Sequence, residues 1–257
     1  MISPDCKILI DAAVILLSFL NQQASIGRKI VIDFESEDSG VMGYFNRMGF
    51  FDHLHKKIKV LPARPLVSGA AIYRGYNKNI VEIAPIIPDV EDEDIASRLA
   101  DALETKNKAL GKATFTIFGE LIGNVLEHSS TKLTGFAALQ TYKTGIKVVV
   151  SDSGDGLLET LRPELPKKYA KTPDIDLLIE AFETGLSRHG KKSGRGCGLA
   201  MCAKKAIKFR GNLEVRLATS RVNLVPSGTS YSPEAYCYEN LQPIWGTHIA
   251  FDFRIDN

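Results

Sequence analysis

Cysteine, tryptophan and net charge are all scarce in this chain, and two of these scarcities close off whole classes of explanation. The 257 residues include four cysteines, Cys6, Cys197, Cys202 and Cys237, with no CxxC pair among them. That spacing fits a metal-thiolate site poorly and matches reduced thiols in a cytoplasmic protein. Formal net charge is only +2, so there is no broad electrostatic case for nucleic acid or an acidic membrane surface. Long apolar runs are missing too: AAVILLSFL at 12–20 is too short to cross a bilayer. It also lacks a basic flank and a convincing cleavage site, so no secretory leader is expected. Neither GxxxxGKS/T nor a strand-first GxGxxG occurs, which removes the P-loop and dinucleotide-binding readings. What is present is 44% hydrophobic and 24% charged, an ordinary globular balance with ample material for a core.

Hydrophobic periodicity organises the chain into two regions. In the first, Ile8–Gln22 has helical spacing, KIVIDF at 29–34 reads as a buried strand, and VMGYFNRMGFFDHL at 41–54 begins as a helix. IKVLPA at 58–63 and NIVEIAPII at 79–87 are further strands. The acidic, proline-led PDVEDED at 88–94 is the expected junction, giving an N-terminal α/β region over 1–88 and a second domain over 89–257. That domain opens with helices over about 92–105 and 112–129, then strands at 135–142 and 146–152. A mixed stretch, 157–193, holds the amphipathic DIDLLIEAF at 174–182, and a stretch of that length is usually functional. A helix after Gly198, running to about Phe209, a strand at 212–218, a Ser/Pro-rich excursion at 226–235 and a last strand at 247–255 complete it.

Four short segments carry chemistry. In FGELIGNVLEHS, residues 118–129, Glu120, Asn124 and His128 recur every four positions and so share one side of an otherwise apolar helix. Taken alone, this is a solvated stripe. The sharper reading makes Glu120 a general base and Asn124 a hard oxygen ligand for Mg²⁺, which keeps waters and phosphate oxygens for the rest of its shell; His128 gains no role. In VVVSDSGDGL, residues 148–157, a buried strand ends in Asp152, and Gly154 and Gly156 permit a close backbone approach. Asp152 could accept from an exocyclic amine or simply bond its own turn. In KKSGRGCGLAMCAKKA, residues 191–206, Gly194, Gly196 and Gly198 lead into a helix from Leu199, whose bare N–H groups suit phosphate. Arg188, Lys191, Lys192 and Arg195 lie close by to neutralise it. Last comes Trp245-Gly246-Thr247, where a threonine hydroxyl opens the final strand.

Taken in this order, the four segments resemble the Bergerat ATP-binding fold of the GHKL superfamily. That superfamily groups DNA gyrase B, the Hsp90 chaperones, histidine-kinase catalytic domains, MutL and the anti-sigma factor serine kinases. ELIGNVLEH at 120–128 looks like its N box, DSGDG at 152–156 and GRGCGL at 194–199 like its two glycine boxes, and GT at 246–247 like its closing element. The resemblance covers about 92–255 and implies an α/β fold, an α+β two-layer sandwich. It implies ATP and Mg²⁺ as cofactors, with Asp152 on the adenine amino group and Thr247 supporting it through water. Asn124 would hold the metal and Glu120 activate the nucleophile. Gly154 and Gly156 would lie against the nucleotide. Gly194, Arg195, Gly196, Gly198 and Leu199 would wrap the triphosphate, with 157–193 as a lid.

Within the superfamily, Glu120 four residues before Asn124 and the Glu127-His128 ending look like the anti-sigma serine kinases and stand-alone ATPase-like regulators. A two-component kinase fits worse, because neither His53 nor His55 is followed by an acidic residue or set in a dimerising helical hairpin. A gyrase-like enzyme would carry a transducer domain after the ATP site. KIVIDFESEDSGVMGYFNRMGFFDHL is loosely similar to a STAS domain, with Ser39 in the loop that a phosphosite would occupy. The expectation is an ATPase or a protein serine/threonine kinase, with a protein partner or phosphoacceptor and room for a homodimer. The alternative is an ATP-gated interaction module with little turnover. A scaffold that has lost nucleotide binding fits less well with intact Glu120, Asn124 and Asp152.

Overall fold

A computed structural model describes residues 1–3, 6–35, 40–87, 93–128, 131–186, 198–234 and 238–254. The chain begins with α1 (Ile10–Ser25), β1 (Val31–Asp33), α2 (Gly40–Met48), α3 (Phe50–His53), β2 (Lys59–Leu61) and α4 (Gly69–Tyr73). Gly49, at φ 79°, turns the chain between α2 and α3, a left-handed conformation that glycine adopts without a side-chain clash. Next come β3 (Ile80–Ile86), α5 (Glu93–Glu104), α6 (Lys108–His128), β4 (Gly135–Thr141) and β5 (Gly145–Ser151). The Asn107 side chain accepts from the backbone N–H groups of Ala109 and Leu110, both at 3.0 Å, and so caps the start of α6. Helices α7 (Leu157–Leu161), α8 (Asp174–Thr184) and α9 (Gly198–Lys208) precede β6 (Asn212–Arg216), β7 (Arg221–Ser227), β8 (Ser230–Pro233) and β9 (His248–Arg254).

Strands β1 and β2 form a small parallel pair, and the other seven form one sheet in the order β3-β4-β5-β9-β6-β7-β8, antiparallel throughout. Alternation along the strands divides the core between the sheet's two faces. Ile146, Val148 and Val150 of β5 pack with Leu121, Ile122 and Val125 of α6 and with Leu199 and Ala203 of α9. Val149, with Phe136 and Ala138 of β4 and Ala250 of β9, joins the opposite cluster with Val14 and Leu17 of α1 and Phe45 of α2. Polar contacts fasten α1 to that second face. The Ile10 N–H at the helix start donates to Tyr142 Oη at 2.9 Å, and Asp11 pairs with Lys147 at 3.3 Å. Burial disfavours the Lys147 ammonium, yet the Asp11 and Asp252 carboxylates outweigh it and hold its pKa above the ordinary value.

Two expectations are revised. The excursion at 226–235 is largely a hairpin, with Ser227 opposite Ser230 and Gly228 at φ 62° in the turn. Buried Val222, Leu224 and Tyr231 give it the alternation of a half-buried edge, which its serines and prolines obscure in the sequence. The described part of the expected lid, 157–186, is packed: Leu158, Leu161, Tyr169, Leu177, Leu178 and Phe182 are buried. Arg162 braces it by donating to the carbonyls of Tyr169 and Thr172, both at 2.8 Å, and to Asp174. The rest of that stretch lies outside the described residues. None of the described helices is long and apolar enough to cross a membrane.

Candidate functional site

Between α6, α7, α9 and the ends of β5 and β9 lies a cleft enclosing about 470 Å³ of empty space, part of it open to solvent. Its walls include Asn124, Val150, Asp152, Gly156, Leu157, Leu199, Thr247 and Ile249. Of the residues singled out in the sequence, Asn124, Asp152, Gly156, Leu199 and Thr247 therefore meet in one place. Gly194, Arg195 and Gly196 lie outside the described residues, as do Arg188, Lys191, Lys192 and Ser39. His128 is the last residue of α6.

Asp152 follows β5 directly. Its backbone N–H donates to the Thr247 carbonyl at 2.9 Å, continuing the ladder between β5 and β9 by one more rung. Its Oδ1 accepts from the Gly154 N–H at 2.9 Å, so the local turn bond exists alongside exposure to the cleft. Burial raises the Asp152 pKa above the ordinary carboxylate value; the N–H groups of Gly154, Ser153 and Thr247 oppose the rise and the Asp155 charge adds to it. Two glycines make the close approach: Gly246 at φ 84° and Gly156 at φ 88°. A Cβ on Gly246 would collide with the Asp152 carbonyl oxygen, and one on Gly156 would come within 3.4 Å of Thr247 Oγ1. Thr247 is buried, and its Oγ1 accepts from the Leu157 N–H at 2.7 Å, leaving its hydroxyl proton as a donor.

Glu120 and Asn124 project from α6, one turn apart. The Glu120 carboxylate abuts Gly198, the first residue of α9, so closely that any Cβ there would overlap it. A carboxylate at the start of an eleven-residue helix meets the positive end of its dipole, the environment that also suits phosphate. Cys202, on the same helix, is no competing nucleophile. Burial, with the Glu120 charge behind it, pushes its thiol pKa up to about 12. Among the described residues, no three or more His, Cys, Asp or Glu side chains cluster to hold a metal by themselves. A metal here would be held by the Asn124 amide oxygen and by oxygens of the ligand, a hard donor set that suits Mg²⁺.

The sequence model of the family described as histidine kinase-, DNA gyrase B-, and HSP90-like ATPases matches residues 111–249, just over half of the chain. The chain belongs to this family. It is an ATP-binding protein of the GHKL superfamily of ATPases and kinases, and the residues that line the cleft fall within the matched span. No functionally curated protein matches the sequence. Sequence reasoning on this GHKL chain missed residues behind the cleft: Ser18 and Gln22 of α1, Ser151 and His248. All four are at most 1% exposed. The signal for two of them was present, since Ser151 and His248 are polar residues at buried positions of strands.

Proposed function

We propose that the chain is a regulatory ATP·Mg²⁺-binding protein that hydrolyses ATP or transfers its γ-phosphoryl group to a protein serine or threonine. The observation that carries this reading is the meeting of Asp152 and Thr247 with Asn124 in one cleft, with Glu120 at the start of α9. Asp152 accepts from the adenine amino group while its Oδ1 keeps the bond from the Gly154 N–H, and Thr247 supports that contact. Gly154 and Gly156 admit the base and ribose close to the backbone. Gly198 and Leu199 offer backbone N–H groups to phosphate, and Gly194, Arg195 and Gly196 are assigned to the same ligand group on sequence alone. Mg²⁺, held by Asn124 and phosphate oxygens, supplies charge neutralisation on the triphosphate. Glu120 takes the proton of the attacking water or hydroxyl as its oxygen bonds to the γ-phosphorus and the bond to the bridging oxygen breaks, releasing ADP. Such a site works through positioning and charge stabilisation.

A second reading is an ATP-gated interaction module with little turnover. It is favoured by the direct bonding of α1 to residues flanking the cleft, which gives residues 1–88 a route to report occupancy. In either reading that segment is a regulatory or partner module whose last strand, β3, is built into the ATP-binding sheet through β4. Calorimetry with ATP and Mg²⁺ should show binding that Asp152→Ala abolishes; unchanged affinity would sink the adenine assignment. Glu120→Ala should bind ATP and turn none over, and normal turnover would remove its role as base. Incubation with γ-labelled ATP in lysate separates the readings, because label passes to phosphate, to a protein hydroxyl, or nowhere.

A further inference from the structure

Asp152 and Thr247 do not stand alone in their strands. Ser151 and His248 are register partners at the ends of β5 and β9, as are Val150 and Ile249. Since neighbouring residues on a strand point to opposite faces, Val150, Asp152, Thr247 and Ile249 line the cleft while Ser151 and His248 point away from it. There they meet α1. Ser18 Oγ lies 2.8 Å from Ser151 Oγ, which lies 2.6 Å from His248 Nδ1. One turn further along α1, Gln22 clamps the backbone of Trp245: its Oε1 accepts from the Trp245 N–H at 2.8 Å, and its Nε2 donates to the Trp245 carbonyl at 3.0 Å. Trp245 leads through Gly246 into Thr247. Ser18, Gln22, Ser151 and His248 are all at most 1% exposed, so no water can replace these bonds cheaply.

We propose that Ser18, Gln22 and His248 are positioning residues that hold Asp152 and Thr247 in the geometry selecting adenine, acting from the face of the sheet opposite the cleft. This rests on the nucleotide reading of the cleft given above. Asp152 is covalently next to Ser151, and Thr247 lies between the clamped Trp245 and His248. Any shift of α1 therefore displaces both base-recognising side chains together. The phosphate end is served by other elements, α6 and α9, and is indifferent to α1. Selectivity for the base and grip on the triphosphate are separable in this design.

The test uses the full chain and calorimetry with ATP, GTP and inorganic triphosphate, each with Mg²⁺. His248→Leu and His248→Asn place side chains of similar size in the cavity, but only asparagine offers a polar atom near the Nδ1 position. Gln22→Met removes the clamp at nearly constant length. The expected result is roughly tenfold weaker ATP binding in His248→Leu and Gln22→Met, the scale of one buried hydrogen bond lost. Triphosphate affinity is unchanged, the ATP-to-GTP ratio narrows, and His248→Asn recovers most of it. A role in stability alone would lower the melting temperature and leave that ratio untouched, which overturns the proposal. If His248→Leu does not fold, Gln22→Met decides. Hydrogen exchange on the unmutated chain gives a check without any variant: ATP, but not triphosphate, should slow exchange in α1, by reciprocity of coupling. Equal exchange overturns the coupling. An unmutated chain that binds no ATP overturns the nucleotide reading itself, a different failure.

Discussion

Mild acid should destabilise this protein through one imidazole. His248 is fully buried, and burial, with the Arg216 guanidinium adding to it, pushes its pKa down to about 3, while the Trp245 backbone works weakly the other way. Among the described residues its Nε2 has no hydrogen-bond partner, and no carboxylate is among the groups that shift its pKa, so the charged ring would gain no counter-charge. In the unfolded chain the ring titrates near its ordinary value of about 6.5. The folded pKa is depressed, so the native state binds fewer protons than the unfolded state throughout the window between the two values. Stability is complete above about 6.5 and is lost progressively as pH falls towards 3. From about pH 7.5 to about pH 5 the loss amounts to about 2 kcal/mol, a sizeable part of the stability of a typical domain. Urea unfolding at both values, on the unmutated chain and on His248→Asn, isolates the effect. Every other titrating group, including His53 with its pKa also lowered chiefly by burial, cancels between the two proteins. The asparagine variant should lose about 2 kcal/mol less. Equal losses would refute the reasoning.

Three further outcomes are expected. Gly246→Ala forces a side chain onto the Asp152 carbonyl oxygen at a backbone angle of φ 84°, and should cost roughly 1–3 kcal/mol in chemical denaturation while weakening ATP binding; a wild-type melting curve would contradict the geometry. Gly198→Ala displaces the Glu120 carboxylate without touching the core, so ATP turnover should fall about tenfold or more with little change in melting temperature. ATP affinity should drop as pH falls through the raised Asp152 pKa, because the protonated acid can no longer accept from adenine freely. Dividing by the profile of Asp152→Asn removes the nucleotide's own ionisation, and a flat ratio down to the ordinary value of 3.8 would exclude Asp152 from base recognition.

Most of the fold was legible because its elements are bounded by local chemistry. The periodicity over 112–129 found α6, and the short apolar runs at 135–142 and 146–152 found β4 and β5, each within a few residues of their observed limits. Asp152 and Thr247 were legible because glycines flank both and mark a close approach. What was not legible is non-local. Tertiary pairing, not composition, makes Arg221–Pro233 a hairpin, and its serines and prolines point to a loop until Val222 and Leu224 are known to be buried. Ser18 and Gln22 look like ordinary polar interruptions of an apolar helix, because their partners are 133 and 223 residues away. The face that Ser151 and His248 occupy becomes meaningful only once α1 is seen to lie across it.

The polar contacts of α1 also explain how a largely apolar helix finds one seat on an apolar sheet. Ala13, Val14 and Leu17 contact Phe136, Ala138 and Val149, and aliphatic surfaces of this kind tolerate sliding at modest cost. Asp11 and Ser18, seven residues apart, lie on the same side of the helix. They meet Lys147 and Ser151, four residues apart on β5. The two spacings agree: about 10.5 Å along a helix at 1.5 Å per residue, against about 13 Å along a strand, with side-chain reach covering the difference. Sliding α1 by one turn, about 5.4 Å, would take buried Asp11 and Ser18 away from Lys147 and Ser151, while those two keep Asp252 and His248. The apolar residues supply adhesion, and the polar ones select the register. Because one of those polar residues is the immediate neighbour of Asp152, the register of α1 is also the register of the base-recognising end of the cleft.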